Sequence, residues 1–172
     1  MTVSQSSKTG SSLRTGAEYM ASLNDGRQVF LDGERVADVS KHKAFREAAR
    51  SVAKLYDIAA APENRELMTF PSPKTGQPVL RAFQIPKTHA DLKARRLFSE
   101  KWAEVTFGLM GRTPDHVASF FCGYAAVPGV FAAGGQKYAD NVVAFYEFMR
   151  DNHLYVSYAI VPPQIDRSKP AH

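Results

Sequence analysis

The stretch from His42 to Ala59 constrains the fold more than any other part of the chain. Phe45, Ala48, Ala49, Val52, Ala53 and Tyr56 recur there at helical spacing, while Arg46, Arg50 and Lys54 fall on the opposite face. An apolar stripe of this kind belongs to a helix laid against a partner, so other elements must cover it. Further segments supply helices. Thr15 with Glu18 three residues on is a capping-box signature, and Tyr19, Met20 and Leu23 give a short helix ending near Asp25-Gly26. Thr88 with Asp91 can cap a long helix whose apolar stripe is Leu92, Leu97, Trp102, Val105 and Leu109, ending around Gly111. Thr113 is a candidate N-cap with Pro114 at the first helical position, where a missing N–H costs nothing. Gly135 to Asn152 carries Tyr138, Val142, Val143, Phe145, Tyr146 and Met149 at helical spacing, with Asp151-Asn152 as the stop.

Extended structure is confined to small pieces. Val29 and Leu31 precede Asp32-Gly33 and Val36 follows, the short-range signal of a type I′ hairpin, in which both central residues take positive φ. Met68 to Pro86 reads as two short extended pieces joined by a Pro/Gly turn, because Pro71, Pro73 and Pro78 remove ladder donors and Gly76 permits a tight reversal, and its backbone is expected to skirt the surface. Leu154 to Val161 is rich in β-branched and aromatic residues and stops at Pro162-Pro163, which predicts a strand running into a loop. Residues 1–13 are dominated by small polar side chains and predict a flexible arm. The expected architecture is mainly α, with a helical domain over 14–153 and a strand-rich segment beginning at 154–172.

Composition narrows the function classes. With 44% hydrophobic and 23% charged residues in 172, the chain is an ordinary globular protein. Its formal charge of +5 is scattered, which argues against nucleic acid as a partner. The densest basic run, Lys87, Lys93, Arg95, Arg96 and Lys101, reads as the solvated face of a helix. A single cysteine, Cys122, allows neither an internal disulfide nor a thiolate cluster; it reads as a buried small residue, and a reducing cytoplasm is expected. No apolar run approaches the ~18 residues of a membrane span. His42, His89, His116, His153 and His172 show no metal-ligand spacing, so no metal is expected. There is no GxSxG, GxGxxG or phosphate-binding loop either.

Two clusters remain as candidates for chemistry. Gly111-Arg112-Thr113-Pro114-Asp115-His116 stands at a helix N-terminus, where unpaired N–H groups and a guanidinium both favour an anion such as a carboxylate or phenolate. An ordinary surface pair of Arg112 and Asp115 fits the same residues. Ser157-Tyr158 with Pro162-Pro163-Gln164-Ile165-Asp166-Arg167 follows at the end of the chain, and Tyr158 there also fits a core aromatic.

RTGAEYMASLNDGRQVFLDGERVADV near the start, MGRTPDH in the middle and AIVPPQIDRSKP at the end, taken in order, resemble the oxygenase component of the two-component flavin monooxygenases that hydroxylate 4-hydroxyphenylacetate and related phenols. The resemblance runs from about Leu13 to His172. It implies an acyl-CoA-dehydrogenase-like fold, with residues 14–153 as its N-terminal helical domain and 154–172 as the start of a truncated middle β-barrel domain, and a homotetramer at full length. It implies reduced FAD delivered by a separate NAD(P)H-dependent reductase, and a phenol hydroxylated ortho to its hydroxyl. Arg112 then matches the motif arginine that helps hold the phenolic substrate and the flavin hydroperoxide. Gln164, Asp166 and Arg167 lie in the stretch that touches FAD. His116 stands where the best-studied members have Tyr, and Tyr158 where they have His; both residue types donate to a phenolate oxygen, so the pair stays in the catalytic set.

Two other readings compete. A truncated, non-catalytic helical domain would act as a protein-interaction or assembly piece through exposed apolar faces. A dehydratase relative on the same fold would need cysteines for an iron–sulfur cluster, and Cys122 alone does not supply them.

Overall fold

The computed structural model describes residues 13–108, 114–158 and 168. The elements run α1 (Gly16–Ser22), β1 (Val29–Leu31), β2 (Glu34–Val36), α2 (Arg46–Ala60), α3 (Arg65–Met68), β3 (Thr69–Pro71), β4 (Pro78–Leu80), α4 (His89–Val105), α5 (Pro114–Ala126), α6 (Gly129–Ala132) and α7 (Gln136–Asp151). One-turn 3₁₀ helices at Pro62–Asn64 and Arg81–Phe83 join α2 to α3 and β4 to the approach of α4. The two antiparallel hairpins, β1–β2 and β3–β4, remain separate sheets.

Local chemistry explains the starts and stops. At α1, Thr15 Oγ1 accepts from the Glu18 N–H at 3.2 Å while Glu18 Oε2 accepts from the Thr15 N–H at 3.0 Å, and Thr88 with Asp91 repeats this box at α4. Asp32 and Gly33 both have positive φ, 52° and 82°, and the register pairs Leu31 with Glu34 around them, as a type I′ turn requires. Residues 42–45 are turn, so α2 begins at Arg46. The helix α4 ends at Val105, earlier than expected: the Gly108 N–H reaches back to the Ala103 oxygen at 2.8 Å, with Phe107 and Gly108 both at positive φ. Thr113 and the expected helix end at Gly111 lie outside the described residues.

The core gathers where α2, α4, α5 and α7 meet around the second hairpin. Leu55, Met68, Val79, Phe83, Phe98, Trp102 and Met149 are its largest fully buried side chains. The expected surface course of residues 68–86 is therefore corrected: Met68, Thr69, Ser72, Val79, Leu80 and Phe83 are all buried. Polar groups there are paired inward, Ser72 Oγ donating to Asp151 at 2.8 Å and the Tyr146 hydroxyl to the Phe83 oxygen at 2.6 Å. The stripe expected for α4 is also corrected. Trp102 is buried and Val105 packs on the core as expected, and Phe98 joins them, but Leu92 and Leu97 are exposed.

Beyond α7 the chain turns at His153 (φ 52°). Residues 154–158 have no regular secondary structure; the expected strand does not form over them, because no described strand lies alongside to complete a ladder. Leu154, Tyr155 and Val156 pack on the core instead. Residues 159–163 of that segment lie outside the described residues.

Candidate functional site

His116 stands in the first turn of α5, and Tyr158 lies in the segment after α7. The fold brings them to one place through a third ring. Phe120, one turn beyond His116, lies 4.9 Å from the imidazole with planes at 67°, and 6.1 Å from the Tyr158 ring at 76°. Both are edge-to-face arrangements within the range aromatic quadrupoles favour. Phe120 and Tyr158 remain open to solvent, at 41% and 55% exposure. A planar ring with a hydroxyl fits such a wall: Phe120 offers apolar surface, and the imidazole and phenol offer hydrogen-bonding groups. Arg112, Gln164, Asp166 and Arg167 lie outside the described residues.

The helix that carries His116 and Phe120 is pinned by Arg95 of α4. Its guanidinium donates to Ser119 Oγ at 2.6 Å, to Cys122 Sγ at 3.4 Å and to the Gln84 carbonyl oxygen. Within the basic run read as a solvated face, Arg96 pairs outward with Glu100 and Lys101 with Glu104, but Arg95 turns inward and departs from that reading. Cys122 is buried as expected; burial pushes its thiol pKa up, and the neighbouring Arg95 only partly opposes this. A protonated thiol facing the Ala82 oxygen at 3.7 Å is a packing residue.

Sequence reasoning missed Phe120 and Arg95. The i, i+4 spacing of Phe120 from His116 on a helix was a usable signal. Arg95 lies three residues before Phe98 and seven before Trp102, on one helical face, a signal that Arg96 lacks. A separate open groove of about 850 Å³ runs along β3–β4, lined by Phe70, Pro71, Pro78 and Arg81 among others. Arg81 is already bonded to Gln84 and to the backbone oxygens of Glu66, Leu67 and Thr69, so it is a structural brace. Among the described residues no group of three His, Cys, Asp or Glu side chains could hold a metal ion, and no helix is long and apolar enough to cross a membrane.

The fold is of the acyl-CoA-dehydrogenase-like class. Its family follows from comparison: the model of the 4-hydroxyphenylacetate 3-hydroxylase N-terminal region matches residues 15–172, and the chain belongs to that family. The pyoverdin chromophore biosynthetic protein PvcC of Pseudomonas aeruginosa is 42% identical over 160 residues, covering 93% of this chain and 31% of that protein. The 4-hydroxyphenylacetate 3-monooxygenase oxygenase component of Klebsiella oxytoca is 40% identical over 158 residues, covering 91% of this chain and 30% of that protein. Among solved structures, an oxygenase component of 4-hydroxyphenylacetate 3-monooxygenase complexed with FAD and 4-hydroxyphenylacetate superposes with a TM-score of 0.80 at 36% identity, over 91% of this chain and 32% of that one. An archaeal 4-hydroxybutyryl-CoA dehydratase, at 24% identity and a TM-score of 0.73, shares the fold. The chain thus spans about three-tenths of the length of the curated relatives it matches.

Proposed function

We propose that this chain is part of a flavin-dependent monooxygenase that hydroxylates a 4-substituted phenol ortho to its hydroxyl, using reduced FAD and O₂. The observation that carries the reading is the meeting of His116 and Tyr158 on the ring of Phe120, in a chain of the 4-hydroxyphenylacetate 3-hydroxylase family. Reduced FAD, when bound, supplies two electrons to O₂; one oxygen atom enters the ring as a hydroxyl and the other leaves as water. His116 and Tyr158 hold the phenolic oxygen by hydrogen bonds, and the imidazole relays its proton. Arg112, two residues before α5 in the sequence and matching the family's motif arginine, would supply positive charge for a phenolate. Gln164, Asp166 and Arg167, in the stretch that matches the family's FAD-contacting motif, would hold FAD. A cytoplasmic homotetramer served by an NAD(P)H-dependent flavin reductase completes the proposal, with 14–153 as the helical domain and 154–172 as the beginning of a β domain; Leu13, expected in the N-terminal arm, is instead buried in the core.

A second reading, an assembly piece without catalysis, is favoured by the exposed apolar surface of α5 to α7, where Tyr124, Val130, Tyr138, Phe145 and Phe148 are 42–72% exposed. One experiment separates the two. The chain is titrated anaerobically with reduced FAD, alone and with the polypeptide that follows it in the relatives supplied in trans, and is then given O₂ and para-substituted phenols. Flavin binding and catechol formation by the mixture support the hydroxylase; association of the two polypeptides without either supports the assembly piece.

A further inference from the structure

Phe120 belongs to neither motif cluster, yet it joins them. His116 is fixed relative to it by the helix, since i and i+4 are neighbours on one face. Tyr158 is held differently. Among the described residues, 154–158 form no strand or helix that would set its position, and its ring meets Phe120 edge to face at 6.1 Å. Despite contacts with both rings Phe120 keeps 41% of its surface open. The helix beneath it does not depend on these contacts, because Arg95 ties α5 to α4 through Ser119 and Cys122.

We propose that Phe120 is a positioning and specificity residue: it ties Tyr158 to the helix that carries His116, and its open ring is the wall against which the aromatic ring of a ligand packs. The second half rests on the phenol reading above; the first half does not. Imidazole and phenol groups meet a hydroxyl equally well on an aromatic or a saturated ring, so they do not choose between them. A phenyl ring does, because edge-to-face contact adds attraction that a cyclohexyl group lacks.

The positioning is tested by NMR on the full chain carrying Phe120→Ala, Phe120→Leu or Phe120→Trp. In the Ala and Leu variants the Tyr158 ring should lose its NOEs to α5 and its lines should narrow, while the amide shifts of α5 persist; Trp should restore the NOEs. Tyr158 remaining against α5 in the Ala variant overturns the proposal, and so does melting of α5 in both the Ala and Leu variants, which would make Phe120 a purely structural residue. The wall is tested by titrating 4-ethylphenol against 4-ethylcyclohexanol. Wild type should prefer the phenol, and Phe120→Leu should lower that preference roughly two- to tenfold while Phe120→Trp keeps it. An unchanged preference in the Leu variant overturns the wall. If neither compound binds wild type, the phenol reading fails and the wall with it, and the NMR arm still decides the positioning.

Discussion

Tyr56 donates its hydroxyl hydrogen to the main-chain oxygen of His153 at 2.7 Å, tying the middle of α2 to the residue that leads out of α7. Burial pushes the Tyr56 pKa up to about 12, so the donor keeps its proton at any ordinary pH. The ring is held by Tyr19, stacked at 5.3 Å. Tyr56→Phe keeps this packing and removes one hydrogen bond, which should cost about 1 kcal/mol. In thermal unfolding that corresponds to a midpoint lower by roughly 2–4 °C for a chain of this size. An unaltered midpoint would show that the bond does not contribute.

His153 itself makes stability pH-dependent. Its Nδ1 is buried without a hydrogen-bond partner. Burial lowers the imidazole pKa; Arg14 pushes the same way, and Asp151 and Glu18 oppose it. The unfolded chain takes up the proton near the ordinary value of about 6.5, the folded chain only at lower pH. In that window the unfolded state binds more protons, so stability is complete above about pH 6.5 and is lost as pH falls through the folded pKa. Asp151, whose pKa is lowered by Arg150 and Ser72 although burial raises it, loses its contribution only below the ordinary carboxylate range. His153→Asn tolerates the positive φ and cannot titrate. Urea unfolding at pH 7.5 and 5.5 should show a larger drop for wild type than for the Asn variant; equal drops would place the titration elsewhere.

Much of the fold was legible because its signals are local. The boxes at Thr15 and Thr88, the turn at Asp32-Gly33 and the limits of α7 each depend on a few consecutive residues, and each forms as expected. The placement of residues 68–86 was not legible. Prolines removed donors as expected, but β4 packs on α7 and the following turn at Arg81–Phe83 on α4 and α5, and that burial is a tertiary fact. Similarly, His116 and Tyr158 were singled out by motif, whereas the ring between them became visible only when the segment after α7 folded back toward α5.

The facing of α4 gives a direct test. Periodicity shows an apolar stripe but does not fix its centre: Trp102 meets the neighbours as expected and Phe98 joins it, their rings 4.1 Å apart, whereas Leu92 stands 56% exposed. Phe98→Ala should cost about 3–5 kcal/mol through a cavity that its neighbours cannot fill. Leu92→Ala should stay within about 0.5 kcal/mol in this chain. Denaturant titration of the pair measures both, and comparable losses would mean that α4 is rotated from the orientation described.

Gly16 sets propensity against packing. It occupies the first position of α1, buried, with its N–H donating to Asp57 Oδ1 of α2 at 2.7 Å. Alanine in a helix is favoured over glycine by about 1 kcal/mol, so helix propensity alone predicts that Gly16→Ala stabilises. A Cβ at Gly16, however, would lie 2.5 Å from the Ala53 carbonyl oxygen and 2.5 Å from Asp57 Oδ2. The carboxylate can rotate away; the carbonyl is part of the α2 backbone and cannot move without shifting α1 off α2. Overpacking of this kind costs about 1–3 kcal/mol and should win, giving a net loss. In an Asp57→Ala background the carboxylate clash is gone and the carbonyl clash remains, so Gly16→Ala should still destabilise, but by less. Chemical unfolding of the four variants closes the cycle, and a stabilising Gly16→Ala in either background would show that α1 does not approach α2 this closely.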